Sequence, residues 1–200
     1  MLKKISFILY KILYLLDKFV FFILKKNFII FLKDFVNEDS YKSLKILDKK
    51  INFFVPNQLI NWRVDTFFKK EPETLEWINN FKQNEKIIFW DIGANIGLYS
   101  IYNALKNENS KKISFEPSTS NLRTLSRNIS LNNLQNKIKI LSIPLSNIQN
   151  KFLMMKEGRF IEGGAINTFG ESYNFEGKSF VSDMNYQILR TNINYLIEKK

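Results

Sequence analysis

KIIFWDIG, residues 86–93, is a short and almost wholly apolar run that meets an acid at Asp91 and then opens into GANIG. A run of this kind reads as a strand buried on both faces, the pattern of a parallel sheet. Leu98, Ile101 and Leu105 follow at helical spacing, so a helix is expected from about Gly97 to Leu105. The alternation then returns. KKISFEP (111–117) reads as a second strand, SNLRTLSRNISL (120–131) as a helix on Leu122, Leu125 and Ile129, and KIKILSIPLS (137–146) as a third strand. Strands alternating with helices imply a parallel sheet closed by crossovers, hence an α/β fold.

The spacing at the first turn is Asp-x-Gly-x-Asn-x-Gly, with Gly93 and Gly97 four apart. Asp91 is expected at the carboxyl edge of the sheet, the glycines permit close approach of a ligand to the backbone, and the next helix points its positive end at the same spot. Open parallel sheets bind ligands in that crevice. An acid beside the turn disfavours a pyrophosphate and suits the ammonium group of an amino-acid moiety, which argues against a dinucleotide. Glu116 ends the second strand 25 residues later, where a carboxylate can accept both hydroxyls of a ribose. The two acids together favour S-adenosylmethionine.

Plainer readings stand beside these. Asp91 and its glycines also suit an ordinary strand-to-helix turn, Glu116 a cap for the helix after Pro117, and Ser146 and Asn147 a turn. Upstream, KKEPETLEWINNF reads as a helix that starts at Pro72 and stops near Asn84, with Leu75, Ile78 and Phe81 toward a core. Glu71 and Glu73 there fit helix-end electrostatics or a catalytic carboxylate.

Composition removes other chemistries. The chain has no Cys and no His, which excludes thiolate nucleophiles, disulfides, the usual metal sites and any Ser-His-Asp arrangement. Proton transfer is left to Asp, Glu, Lys, Tyr or water. Of the +11 formal charge, a net +6 lies in the first 50 residues, eleven Lys against five acids. Most of the excess therefore belongs to one end, and nucleic-acid binding is not expected of the domain.

That end is a basic, apolar segment, residues 1–36. Lys4, Lys11, Lys18 and Lys25 recur every seven residues and form one stripe on a helix. A membrane span would bury Lys11, Asp17 and Lys18 in hydrocarbon at a cost of roughly 2.5 to 3.5 kcal/mol each, and no small-residue cleavage site marks a signal peptide. Two readings remain: an interfacial helix making peripheral membrane contact through residues 1–33, or a helix or helix pair packed on the rest of the chain. In between, FFVPNQLINWRVDTFF (53–68) reads as one or two strands around a turn at Pro56-Asn57. Past Asn150, FLMMKEG and KSFVSDMN suggest strands and NINYLIEKK a last helix.

WDIGANIGLYS, ISFEPSTSNLRTLSRNISLNN, LSIPLSN and the upstream KEPETLEWI, taken in this order around the sheet, resemble the FkbM family of class I S-adenosylmethionine-dependent methyltransferases over about residues 65 to 198. The resemblance implies a Rossmann-like sheet, with Asp91, Gly93, Asn95 and Gly97 at the methionine end of the cofactor, Glu116 on the ribose, and Leu145, Ser146 and Asn147 along the adenine. It implies O-methylation of a sugar or other hydroxyl acceptor; with no histidine in the chain, Glu71 or Glu73 is the candidate base for such an acceptor. The expected organisation is a helical segment 1–36, a cap region 37–84 and a partial methyltransferase domain 85–200. A bacterial surface glycan or lipid-linked saccharide is the expected acceptor, and the cytoplasm, at the inner face of the membrane, the expected location. Family members continue into a fourth strand with an acidic motif, so the chain is expected to be a carboxyl-terminally truncated frame, poorly stable and inactive alone. The rival expectation is a non-catalytic membrane-associated remnant or interaction protein, and a third is an RNA methyltransferase or RNA-binding protein.

Overall fold

The computed structural model describes residues 1–82, 85–147, 151–171, 173, 176–179 and 181–198. The chain divides into two compact units, Met1–Tyr41 and Lys42–Lys200.

The first unit is a helix pair, α1 (Leu2–Leu24) and α2 (Ile29–Glu38). The lysine repeat of α1 has a partner repeat one turn back. Lys11 Nζ lies 5.3 Å from the Phe7 ring centroid, Lys18 Nζ 4.9 Å from that of Tyr14, and Lys25 Nζ 6.0 Å from that of Phe21. Each is an i, i+4 pair, near enough for a cation–π attraction. Asp17, buried, has a separate task. Phe28 at the start of α2 offers no side-chain cap, and Asp17 supplies one from α1: its carboxylate accepts from the Ile29 amide at 3.0 Å and from Asn27 Nδ2 at 2.7 Å. Among the described residues no helix is long and apolar enough to cross a membrane.

The second unit opens with the hairpin β1 (Tyr41–Ile46) and β2 (Lys49–Phe54). Its two linking residues, Leu47 and Asp48, both have positive φ, as a two-residue hairpin turn matched to strand twist requires. The expected turn at Pro56-Asn57 is instead a helix start. Asn57 is an N-cap whose side chain accepts from the Ile60 amide, and LINWRVD lies in α3 (Gln58–Asp65), burying Ile60 and Val64 one turn apart. A short α4 (Phe67–Lys70) leads to α5 (Pro72–Asn79), with Pro72 at its first turn and Leu75 and Ile78 buried. The helix expected to run on to about Asn84, which lies outside the described residues, stops earlier, at Asn79, where the Asn80 amide closes the last turn on the Glu76 carbonyl.

Then comes the alternation itself: β3 (Ile88–Ile92), α6 (Leu98–Lys106), β4 (Lys111–Phe115), α7 (Thr119–Leu131) and β5 (Ile138–Leu141). The strands form a parallel sheet in the order β3-β4-β5, with Asp91 opposite Ser114 and Ile92 opposite Phe115. The fold is α/β, an incomplete Rossmann-like sheet with a helical amino-terminal extension. The expectation that β3 is buried on both faces does not hold. Phe89 is buried, but Ile88 and Ile92 are exposed, because among the described residues β3 has a strand neighbour on one side only.

A second sheet follows, antiparallel, in the order β7-β6-β8, from β6 (Lys151–Glu157), β7 (Asn167–Phe169) and β8 (Met184–Arg190). The strand expected over KSFVSDMN starts later, at Met184, where seven residues pair with β6. Residues Ile193–Glu198 form α8.

One apolar core joins the hairpin, α3 to α5 and the parallel sheet, with Ile46, Phe53, Ile60, Phe67, Ile101 and Leu125 fully or almost fully buried. Residues 44–81 thus share their core with residues 89–140. Polar side chains of α7 complete the join. Buried Asn128 accepts the Phe54 amide at 2.8 Å and donates to the Ile96 carbonyl at 2.9 Å, while Asn132 accepts the Asn52 amide and donates to the Asn52 carbonyl. The open edge of β2 is thereby satisfied by a helix rather than by a third strand.

Candidate functional site

The loop from Gly93 to Gly97 begins where β3 ends. The Gly93 and Ala94 amides both donate to the Phe115 carbonyl, at 2.8 and 3.0 Å, which curls the chain over the end of β4. Gly93, Asn95 and Gly97 all have positive φ. At Gly97, the residue that begins α6, a Cβ would also meet Leu125 Cδ1 at 2.5 Å; at Gly93 it would meet nothing within 4 Å. Gly97 is therefore required by packing as well as by backbone, and Gly93 by backbone alone.

Asp91 and Glu116 project from adjacent strands, yet their carboxylates serve different partners. Asp91 Oδ2 accepts the Ser100 amide at 3.0 Å and the Ser100 hydroxyl at 2.6 Å, and Ser100 in turn meets Ser114 at 2.6 Å. Burial raises the Asp91 carboxyl above its ordinary value, against the pull of the Ser100 bonds. Glu116, 4% exposed, accepts the Asn95 amide at 2.6 Å through Oε2 and the Ser118 amide at 2.9 Å through Oε1. Burial raises its carboxyl to about 7, outweighing those two amides and Asn121, with nearby Glu157 adding to the rise. Ser118, not Glu116, is the side-chain cap of α7.

A cavity of about 210 Å³ lies against the glycine loop. Gly93, Asn95, Leu98 and Tyr99 line it from the glycine loop and α6, and Arg63, Lys70 and Glu71 from the α3–α5 region. Asp91 and Glu116 do not line it. The Tyr99 hydroxyl donates to Glu71 Oε2 at 2.8 Å, and Lys70 Nζ is 3.2 Å from Glu71 Oε1. Burial acts to raise the Glu71 carboxyl, but Tyr99, Lys70 and Arg63 together hold it below its ordinary value; burial and Glu71 push the Tyr99 phenol well above its own. Of the two upstream acids, then, Glu71 reaches the cavity, while Glu73 stays exposed in the first turn of α5.

The segment Glu162–Ala165 closes over this region as a strap. Asn95 Nδ2 and Asn121 Nδ2 both donate to the Gly164 carbonyl, at 2.8 and 2.9 Å, and Asn121 Oδ1 accepts the Gly163 amide at 2.8 Å. Arg63 Nε donates to the Gly163 carbonyl at 2.7 Å, and Arg123 pairs with Glu162 at 2.8 Å. Ala165 itself lines the cavity. Leu145 and Ser146 lie elsewhere: Leu145 bridges to Thr191, and the Ser146 amide donates to the Thr191 carbonyl at 2.9 Å.

The fit to S-adenosylmethionine divides accordingly. Asn95 Oδ1 is buried without a hydrogen-bond partner beside the cavity, so a ligand ammonium or hydroxyl would satisfy it. The amino-acid end of the cofactor suits this space. Glu116 does not line this space and is almost fully buried, so a ribose has no open path to its carboxylate in this arrangement.

Arg63, Lys70, Tyr99, Asn121 and the strap carry no local signal of a site. Lys70, Tyr99 and Asn121 do fall inside the quoted stretches KEPETLEWI, WDIGANIGLYS and ISFEPSTSNLRTLSRNISLNN, but their residue types alone give no sign that they meet at one cavity, and Arg63 lies outside all three.

No family model matches the chain. Over 69 residues it is 41% identical to the methyltransferase sdnD of Sordaria araneosa, a match that covers 34% of this chain and 26% of that protein. Among solved structures it is similar to an S-adenosylmethionine-dependent methyltransferase of Agrobacterium tumefaciens, at 14% identity and a TM-score of 0.40, over 52% of this chain and 32% of that one. It is similar also to P. horikoshii TYW2 in complex with MeSAdo, at 15% identity and a TM-score of 0.39, over 56% and 39% of the two chains.

Proposed function

We propose that this chain carries the cofactor-binding half of an S-adenosylmethionine-dependent methyltransferase of the FkbM type, acting on a hydroxyl of a sugar or similar small acceptor. The observation that carries the reading is the cavity between the Gly93–Gly97 loop and Glu71. It sets a turn suited to an amino-acid moiety opposite a carboxylate suited to a proton. The 41% identity to a protein named a methyltransferase supports the same reaction class.

When bound, the cofactor supplies a methyl group on a positively charged sulfur. The chain's own contribution is positional. Gly93 and Asn95 would cradle the amino-acid end, and Glu116 would receive the ribose once its buried carboxylate is uncovered. Glu71 takes the proton that the acceptor hydroxyl loses as its oxygen bonds to the methyl carbon. The Tyr99 hydroxyl holds Glu71 toward the cavity. Holding acceptor and methyl carbon in line and excluding water supplies roughly 7 to 11 kcal/mol of such a barrier. The segment 37–84 acts as a cap, since Arg63, Lys70 and Glu71 all come from it.

The amino-terminal unit is read as a peripheral contact with an anionic membrane surface at the inner face, where the acceptor would be lipid-linked. Its support is the lysine repeat of α1 together with exposed apolar side chains such as Phe22 and Leu24.

Titration of the full chain with S-adenosylhomocysteine, followed by transfer of a labelled methyl group to a panel of saccharides, tests the enzyme reading. Absence of nucleoside binding overturns it. Flotation with anionic against neutral vesicles tests the membrane contact, and equal recovery from both overturns it.

A further inference from the structure

Arg63 is a half-buried guanidinium that makes no ion pair among the described residues: Glu71, the acid whose charge it feels most, is in contact with Lys70. Its Nε donates to the Gly163 carbonyl, which fixes the plane of the group, and its terminal amino groups make no hydrogen bond among the described residues. The other charges of the cavity are already matched, Lys70 to Glu71. The lining therefore carries one uncompensated positive charge. A guanidinium presents its donors as a planar fork, and a carboxylate is the anion that accepts two of them side by side. Asp65, two residues on, is bonded to Lys42 and Asn61, and Asp91 and Glu116 are bonded to Ser100, Ser118 and Asn95 instead.

We propose that Arg63 is a carboxylate receptor: anchored by Gly163, it receives the carboxylate of a ligand seated against the Gly93–Gly97 loop. Two ligands offer that group, the amino-acid end of the cofactor or an acidic sugar acceptor such as a uronate. The choice between them rests on the methyltransferase reading; the receptor itself does not. Because Gly163 belongs to the strap, occupation of Arg63 also tightens the segment that Asn95 and Asn121 hold at Gly164.

Calorimetric titration of the full chain separates the cases. S-adenosylhomocysteine is compared with its decarboxylated analogue, and glucuronate with glucose, for the wild type, Arg63→Gln and Arg63→Lys. Where the cofactor supplies the carboxylate, wild type prefers S-adenosylhomocysteine about tenfold to a hundredfold, as a charge-assisted pair allows, and Arg63→Gln loses the preference. Where the acceptor supplies it, the two nucleosides bind alike and the glucuronate preference is the one lost. Arg63→Lys keeps the charge without the fork, controls for folding, and should retain part of the preference. The receptor is overturned if wild type shows neither preference, or if Arg63→Gln retains one in full. Binding of glucuronate through Arg63 without nucleoside affinity would leave the receptor standing and remove the methyltransferase reading.

Discussion

The Asn95 amide donates to Glu116 Oε2 at 2.6 Å, tying the turn after the first parallel strand to the end of the second. The bond fixes the loop, but its acceptor is an acid with little water around it, whose carboxyl is pushed up to about 7 from an ordinary value of 4.5. Between those two pH values the folded chain holds the proton more firmly than the unfolded chain, so stability falls as pH rises through the window and levels off above it. The linked loss is on the order of 3 kcal/mol. Urea midpoints at pH 5 and pH 8 should show it, and Glu116→Gln should flatten the difference. A wild type equally stable at both would contradict the assignment.

Gly93 and Gly97 look alike in sequence and differ in space. Both have positive φ, yet only at Gly97 does a Cβ strike another side chain, Leu125. Gly93→Ala should cost about 1 to 2 kcal/mol, the left-handed penalty alone. Gly97→Ala adds overpacking and should cost about 2 to 4 kcal/mol. Combining Gly97→Ala with Leu125→Ala should give a loss smaller than the sum of the two, since the colliding atoms are gone. Strict additivity in denaturation measurements would mean that the contact with Leu125 is not the cause.

Asn128 holds three parts of the fold at once, standing on α7 while bonded to β2 through Phe54 and to the glycine loop through Ile96. Leucine fills a similar volume and leaves a buried amide and a buried carbonyl without partners. Each orphaned group costs about 1 to 3 kcal/mol, so Asn128→Leu should lose about 2 to 5 kcal/mol. Hydrogen exchange offers a finer check: protection of the Phe54 amide should fall more than that of amides in β4.

Sequence periodicity exposed the parallel sheet because its signals are local. Ile101, Leu125 and Ile129 recur at helical spacing and are among the residues that α6 and α7 bury, with Leu98, Leu105 and Leu122 partly buried against the same core. Where the signal was a single capping residue, it misled: Pro56-Asn57 resembles a turn, and only Ile60 and Val64, one turn apart, hint that Asn57 starts a helix. The site was half visible. Glycine spacing marks the loop, but Arg63, Glu71 and Tyr99 converge through the packing of α3 to α5 on α6, and no short stretch encodes that. The strap was invisible for the same reason, since the atoms that hold Gly163 and Gly164 come from residues 63, 95 and 121.

Glu71 offers the sharpest test of the chemistry. Its carboxyl is held low by Tyr99, Lys70 and Arg63, against the opposing effect of burial, so it remains ionised and able to take a proton down to mildly acidic pH. Methyl transfer by the wild type should therefore stay level across neutral pH and fall only below the ordinary carboxylate range. Glu71→Gln should lower kcat about 10²- to 10⁴-fold and abolish that acid limb, with nucleoside affinity little changed. Tyr99→Phe leaves the carboxylate in place but frees it to turn. It should lower kcat less and move the acid limb to higher pH, because the hydroxyl that stabilised the ionised form is gone. An acid limb unchanged in Tyr99→Phe would detach Tyr99 from the chemistry, and full activity in Glu71→Gln would assign the proton to another acceptor.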